Sequence, residues 1–133
     1  MPQERYPVAW LGEAAVITLP GEIDISNADQ VRDELLSLLN RGPAMLIVDM
    51  AETTFCDSAG VNALVRAHKR ATANEAEIRL VVAAPGVRRV LAITGIDRLI
   101  SLYPTVAASL EAAEPGESAH PDPDPDEWAA QPG

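Results

Sequence analysis

The run Met45-Leu46-Ile47-Val48 constrains the fold of this chain more than any other feature. Four consecutive apolar residues between Gly42-Pro43 and Asp49 are too few for a helix and show no alternation. Such a run is expected of a strand covered on both faces, the kind found in parallel sheets. The flanking sequence fits that context. Upstream, Ala28, Val31, Leu35, Leu38 and Leu39 fall at helical spacing, with Ser26 or Asn27 as cap and Asn40-Arg41-Gly42-Pro43 as stop. Downstream, a second helix follows Asp57-Ser58, with Val61, Leu64, Val65 and His68 on one side and Arg66, Lys69 and Arg70 largely elsewhere. Ile78–Val82 is the next strand, and Pro85 opens a helix through Val87, Val90, Leu91 and Ile93 that Gly95 ends. Leu99–Leu102 suggests a short last strand, and Thr105 caps a final helix to Ala113. At the start, Val8-Ala9-Trp10 and Ala15–Leu19 around Gly12-Glu13 read as a β-hairpin, broken by Pro20-Gly21. Strands alternating with helices imply right-handed crossovers, hence an α/β fold with a mixed, mainly parallel sheet of about four or five strands and about four helices.

Composition sets the boundaries. The length of 133 residues with 47% hydrophobic content suits one domain around one core. The net charge of −10 is unevenly spread. From Glu111 onward the chain holds seven of its 20 acids and none of its 10 Lys and Arg, leaving 13 acids against 10 bases before that point. The domain is expected over residues 1–113. Residues 114–133, rich in Pro and Asp with Trp128 as their one large apolar side chain, read as a disordered acidic tail. A nearly balanced domain lacks the clustered cations that phosphate backbones require, so nucleic acid is not an expected partner. The Arg88-Arg89 pair and the Arg66/Lys69/Arg70 group read as solvated helix faces. No apolar stretch approaches the roughly 18 residues of a membrane span, and the start shows no signal-peptide pattern. Cys56 is the only cysteine. It reads as a small buried hydrophobe at a strand–helix junction. A cytoplasmic location is expected.

The stretch Asp49–Leu64 carries the chemistry. A buried strand ends near Asp49, a short loop follows, and a helix starts at Ser58. Ser58 therefore lies beyond the carboxyl end of a parallel strand, where open α/β sheets expose functional groups. It also lies at a helix N-terminus, where free N–H groups stabilise an anion by about 0.3–1 kcal/mol. A phosphate there would be tolerated by the domain, adding about −1.5 to −2 charges beside Asp57. Without further context, Asp-Ser before a helix reads equally as a simple cap.

Three segments supply that context. Phe55-Cys56-Asp57-Ser58-Ala59-Gly60-Val61-Asn62-Ala63-Leu64 resembles the phosphoacceptor segment of bacterial anti-sigma factor antagonists, which share the STAS fold. Leu19-Pro20-Gly21-Glu22-Ile23-Asp24 resembles that family's Gly-Glu-hydrophobic-Asp turn. Ala92–Leu99 and then Tyr103-Pro104-Thr105 resemble its C-terminal helix-to-strand turn.

The resemblance implies a partner-switching cycle. The unphosphorylated antagonist binds an anti-sigma factor that is also a serine kinase of the histidine-kinase-like ATPase fold, and so frees a sigma factor. Phosphorylation of the serine matching Ser58 ends that binding, and a metal-dependent Ser/Thr phosphatase restores it. On the same resemblance Asp57 presents Ser58 to the kinase, Gly60 lets a partner's backbone approach, and Asp24 lies on the same face. Ala59 and Asn62 join this partner-binding set. Many family members carry a second serine where this chain has Ala59, so any role of that serine is lost here. No cofactor is implied, and a monomer or weak dimer is expected.

The residues speak against an enzyme. Ser58 lacks the Gly-x-Ser-x-Gly elbow of hydrolases. His120 lies in the tail, and His68 stands about ten helical residues, roughly 15 Å, from Ser58, too far for proton transfer. No metal-ligand spacing and no phosphate-cradling glycine loop is present. An enzyme is therefore not expected. The main alternative is a STAS scaffold or small-ligand-binding module in a signalling assembly, without a Ser58 switch.

Overall fold

Strand pairing begins with the hairpin. In the computed structural model, which describes residues 6–112, β1 (Val8–Leu11) turns into β2 (Ala14–Thr18) through Gly12 and Glu13. Gly12 takes φ +64, a left-handed conformation that tight hairpin turns demand and glycine adopts without strain. β2 then pairs in parallel with β4 (Met45–Met50), β4 with β6 (Glu77–Val82), and β6 with β7 (Ser101–Tyr103). The sheet order is β1-β2-β4-β6-β7, antiparallel only at the hairpin. Parallel neighbours need crossovers. These contain α1 (Ala28–Asn40), α2 (Ser58–Ala73), and α3 (Pro85–Ile93) followed by the single turn α4 (Ile96–Leu99). α5 (Val106–Glu111) follows β7. A separate parallel ladder joins β3 (Glu22–Ile23) to β5 (Phe55–Cys56). The mixed α/β sheet expected from the sequence is present, with five strands and five helices in the described residues besides that ladder.

Side-chain alternation divides the core. Ile17, Leu46, Val48, Leu80 and Val82 face a large cluster with Val31 and Leu35 of α1 and Leu64 and Ala67 of α2. Val16, Ile47 and Val81 point the other way and meet Val106 of α5. β4 is thus buried on both faces, as its unbroken apolar run required. Each fully buried aliphatic side chain contributes about 1.5–3 kcal/mol through lost water contact.

The α5 side also buries a cation, Arg79 on β6. Its guanidinium donates to the carbonyls of Ser109 and Ala112, pairs with Glu77, and lies 5.4 Å from the centre of the Tyr103 ring. A buried charge is tolerated only when paired and hydrogen-bonded. Here it satisfies carbonyls at the C-terminal end of α5, which a helix leaves open.

Several boundaries differ from the sequence expectation. Gly95, at φ +85, ends α3 but starts α4, so Leu99 is helical and the strand begins at Ser101. Asn27 occupies the cap position of α1 without capping it. Its Oδ1 instead accepts from the Asp24 N–H at 3.0 Å, and its amide donates to the Glu22 carbonyl at 2.9 Å. Thr105 does cap α5, accepting from the Ala108 N–H at 3.0 Å. The acidic segment from Glu114, with Trp128, lies outside the described residues.

Candidate functional site

The carboxyl ends of β2 and β4 set the site. Beyond them the two chains stay together as they leave the sheet. The Leu19 N–H donates to the Asp49 carbonyl at 2.9 Å, and the Thr53 hydroxyl to the Pro20 carbonyl at 2.7 Å. The Thr54 N–H then reaches the Gly21 carbonyl at 2.8 Å, and the Asp57 N–H reaches that of Ile23 at 3.1 Å. The intervening register pairs Glu22 with Phe55 and Ile23 with Cys56. This ladder carries the Gly21–Asp24 turn to the Asp57–Ser58 junction. Two segments that the sequence marked separately are therefore one surface.

Ile23 and Cys56 point inward and are buried, so the pleat turns Glu22 and Phe55 outward. Asp24 follows and is held by its own turn. It accepts from the Ser26 hydroxyl at 2.5 Å and from the Ser26 N–H at 2.9 Å. Donation by the Ser26 hydroxyl, then by its N–H, favours the charged carboxylate and lowers its pKa from 3.8.

Asp57, not Ser58, is the N-cap of α2. Its backbone is extended (φ −96, ψ −171), and its Oδ1 accepts from the N–H groups of Ala59 at 2.9 Å and Gly60 at 3.1 Å. Ser58 is the first helical residue and is exposed. At the helix N-terminus, where the sequence reading expects a phosphate on Ser58 to be tolerated, part of the N–H set is already taken. The Asp57 carboxylate already occupies two of the N–H groups that would bind it.

Gly60 is buried under this junction. A Cβ there would stand 2.7 Å from Cys56 Sγ and 2.8 Å from Ile23 Cγ2. Gly60 therefore permits a close approach by its own β3 and β5, an inward role beside the partner contact that the resemblance implies. Beneath it the Cys56 thiol is pushed up from 9.0 to about 11, chiefly by burial and secondly by the Asp57 charge. Ala59 is partly exposed and Asn62 exposed, one and four residues beyond Ser58 on the first turns of α2.

Of the residues expected at the site, Asp24, Asp57 and Ser58 converge on the same end of the sheet, and Gly60 supports them from below. Sequence reasoning missed Thr53, fully buried with its hydroxyl on Pro20, and the exposed pair Ile25 and Phe55. The signal was there in part. A Thr-Thr-Phe run between two apolar segments suits a short strand, but two residues carry no readable period. Among the described residues no group of three or more His, Cys, Asp and Glu could hold a metal ion. No helix among them is long and apolar enough to cross a membrane.

The comparisons agree with this geometry. The model of the STAS domain matches residues 7–109, which include every element of the site. BtrV of Bordetella bronchiseptica, provisionally named an anti-sigma factor antagonist, is 30% identical over 98 residues, spanning 74% of this chain and 81% of that protein. The crystal structure of an anti-sigma factor antagonist from Mycobacterium paratuberculosis superposes with TM-score 0.73 at 25% identity, covering 79% of this chain and 89% of that one. The unphosphorylated form of the anti-sigma factor antagonist SpoIIAA shares the fold with TM-score 0.68 at 21% identity, covering 80% and 93%. A domain match over residues 7–109, nearly all the described residues, is decisive: the chain belongs to the STAS domain family.

Proposed function

We propose that this chain is an anti-sigma factor antagonist: unphosphorylated, it binds an anti-sigma factor serine kinase and frees a sigma factor, and phosphorylation of Ser58 switches it off. One observation carries this reading. Ser58 is an exposed hydroxyl at the first position of α2, beside a cap carboxylate already committed to the helix. The relatives' names, BtrV's and the Mycobacterium paratuberculosis protein's among them, point to the same role.

The chemistry follows from that placement. In the kinase, Ser58 Oγ attacks the γ-phosphorus of ATP, the bond to the β-phosphate oxygen breaks, and ADP leaves. The hydroxyl proton passes to a base on the kinase. The product adds about −1.5 to −2 charges next to Asp57, whose bonds to Ala59 and Gly60 leave the phosphate facing outward. Burying that dianion in an interface costs several kcal/mol, and each 1.4 kcal/mol is tenfold in affinity. A metal-dependent Ser/Thr phosphatase would return the binding form by hydrolysis. The whole cycle is cytoplasmic.

The test is to incubate the protein with ATP and each purified anti-sigma kinase of its own cell, and to map phosphate by mass spectrometry beside Ser58→Ala. Phosphate on Ser58 with loss of kinase binding is the expected result. Binding without modification would keep the partner role and remove the switch. No binding to any kinase would sink both, leaving a scaffold or ligand-binding module.

A further inference from the structure

Two exposed apolar side chains stand at the Ser58 junction. Phe55 is 50% exposed on β5, and Ile25 is 82% exposed just beyond the Asp24 turn. Each held in water forgoes the gain that burial would bring, and neither belongs to a core cluster of this chain. The ladder joins the segments that carry them. Phe55 faces outward beside Glu22, while Ile25 follows two residues after Ile23, whose carbonyl receives the Asp57 N–H.

Charge on their own two segments has one sign. Residues 19–27 and 49–63, the two segments joined here, carry Glu22, Asp24, Asp49, Glu52 and Asp57 and no Lys or Arg. The neighbouring α3 brings two cations, Arg88, which is turned to the Val82 carbonyl, and the exposed Arg89, so the acidic rim lies on the two joined segments and not on α3. An apolar centre with an acidic rim is complementary to an apolar recess rimmed by cations, and such rims steer encounter. Large apolar side chains at the centre of an interface carry most of its affinity.

We infer that Phe55 and Ile25 are the apolar anchors by which this face docks into a basic-rimmed recess of its protein partner, and that phosphate on Ser58 ejects the partner by spoiling their desolvation rather than by charge repulsion. The inference rests on the anti-sigma factor reading above and adds the chemistry of contact to it. A dianion repelled by acids would lose its effect in salt. A dianion brought to a cationic rim is attracted to it, yet it drags water between Phe55 and Ile25 and holds them out of the recess. Attraction and displacement then oppose each other, and salt removes only the attraction.

The experiment measures Kd for the purified anti-sigma factors of the same cell, at low and high salt, with the Ser58-phosphorylated and unphosphorylated protein. Ile25→Ala and Phe55→Ala are each expected to weaken binding more than about tenfold. Their melting should stay near that of the parent, because both residues are exposed. Leu11→Ala, a leucine 50% exposed at the far end of the hairpin, should bind like the parent. Glu22→Lys with Glu52→Lys should weaken binding and flatten its salt dependence. The ratio of affinities between the two phosphorylation states should hold or grow as salt rises. Full affinity in the alanine variants, or a ratio that collapses in salt, would overturn the inference while leaving the antagonist reading standing. Failure of the parent protein to bind any anti-sigma factor would overturn both.

Discussion

The five-stranded sheet and the β3–β5 ladder are built from the same pairing, parallel strands side by side, but differ in what holds them. Strands β4 and β6 are six residues each and bury side chains on both faces. Strands β3 and β5 are two residues each, and of their four residues only Ile23 and Cys56 face inward. Apolar area fixes the first. A few hydrogen bonds, one buried threonine and one missing side chain fix the second. Stability and recognition are thus separated in this fold. The part that presents Ser58 contributes little burial, so its surface can be spent on a partner.

Perturbations of the two regions should differ in size and kind. The largest loss belongs to the sheet and its helices. Leu64→Ala, at a 1% exposed position on the inner face of α2, should cost about 2–5 kcal/mol in chemical denaturation, while the folded fraction keeps its partner. Gly60→Ala comes next. A methyl 2.7 Å from Cys56 Sγ and 2.8 Å from Ile23 Cγ2 forces α2 and the ladder apart, for about 1–3 kcal/mol. Here partner affinity should fall even in fully folded protein, and unchanged affinity would show that the ladder does not place the site. Asp57→Ala removes the α2 cap and should cost about 0.5–2 kcal/mol in melting experiments.

The smallest effects are those of pH, and they have opposite signs. Asp24 is held below its usual 3.8, so its contribution is complete above that pH and disappears as pH falls through its lowered folded value. The Cys56 thiol is raised from 9.0 to about 11, so it favours the folded state below pH 9 and loses that contribution as pH climbs toward 11. Melting curves across both ranges should show an acid decline missing in Asp24→Asn and an alkaline decline missing in Cys56→Ala. Slow alkylation of the native thiol at neutral pH is the companion result.

The contrast also explains what could be read from sequence. Met45–Val48 and Ile78–Val82 announced their strands because a buried sheet writes itself as an apolar run. Leu35 and Leu64 announced their helices by spacing. The ladder had no such voice, since Ile23 and Cys56 lie 33 residues apart in strands of two residues, too short to show a period. The Asp24 turn and the Ser58 junction were marked by resemblance, but that Gly60 serves the inside required three dimensions. So did the cap. Asp57 and Ser58 are both capping types, and only backbone geometry assigns the role. Arg79 was read as one more strand residue. Its burial depends on α5 arriving thirty residues later to accept its protons.

The pairing of Thr54 with Gly21 closes a loop of 33 residues with very little burial at its end. The β2–β4 pairing already brings these ends together, but contacts with little burial behind them are among the first to open. The ladder should therefore breathe while the sheet stays shut. Hydrogen exchange of the Thr54 and Asp57 amides would run orders of magnitude faster than that of Leu80 in β6. An end of the molecule that samples more than one shape is open to selection by whatever binds there.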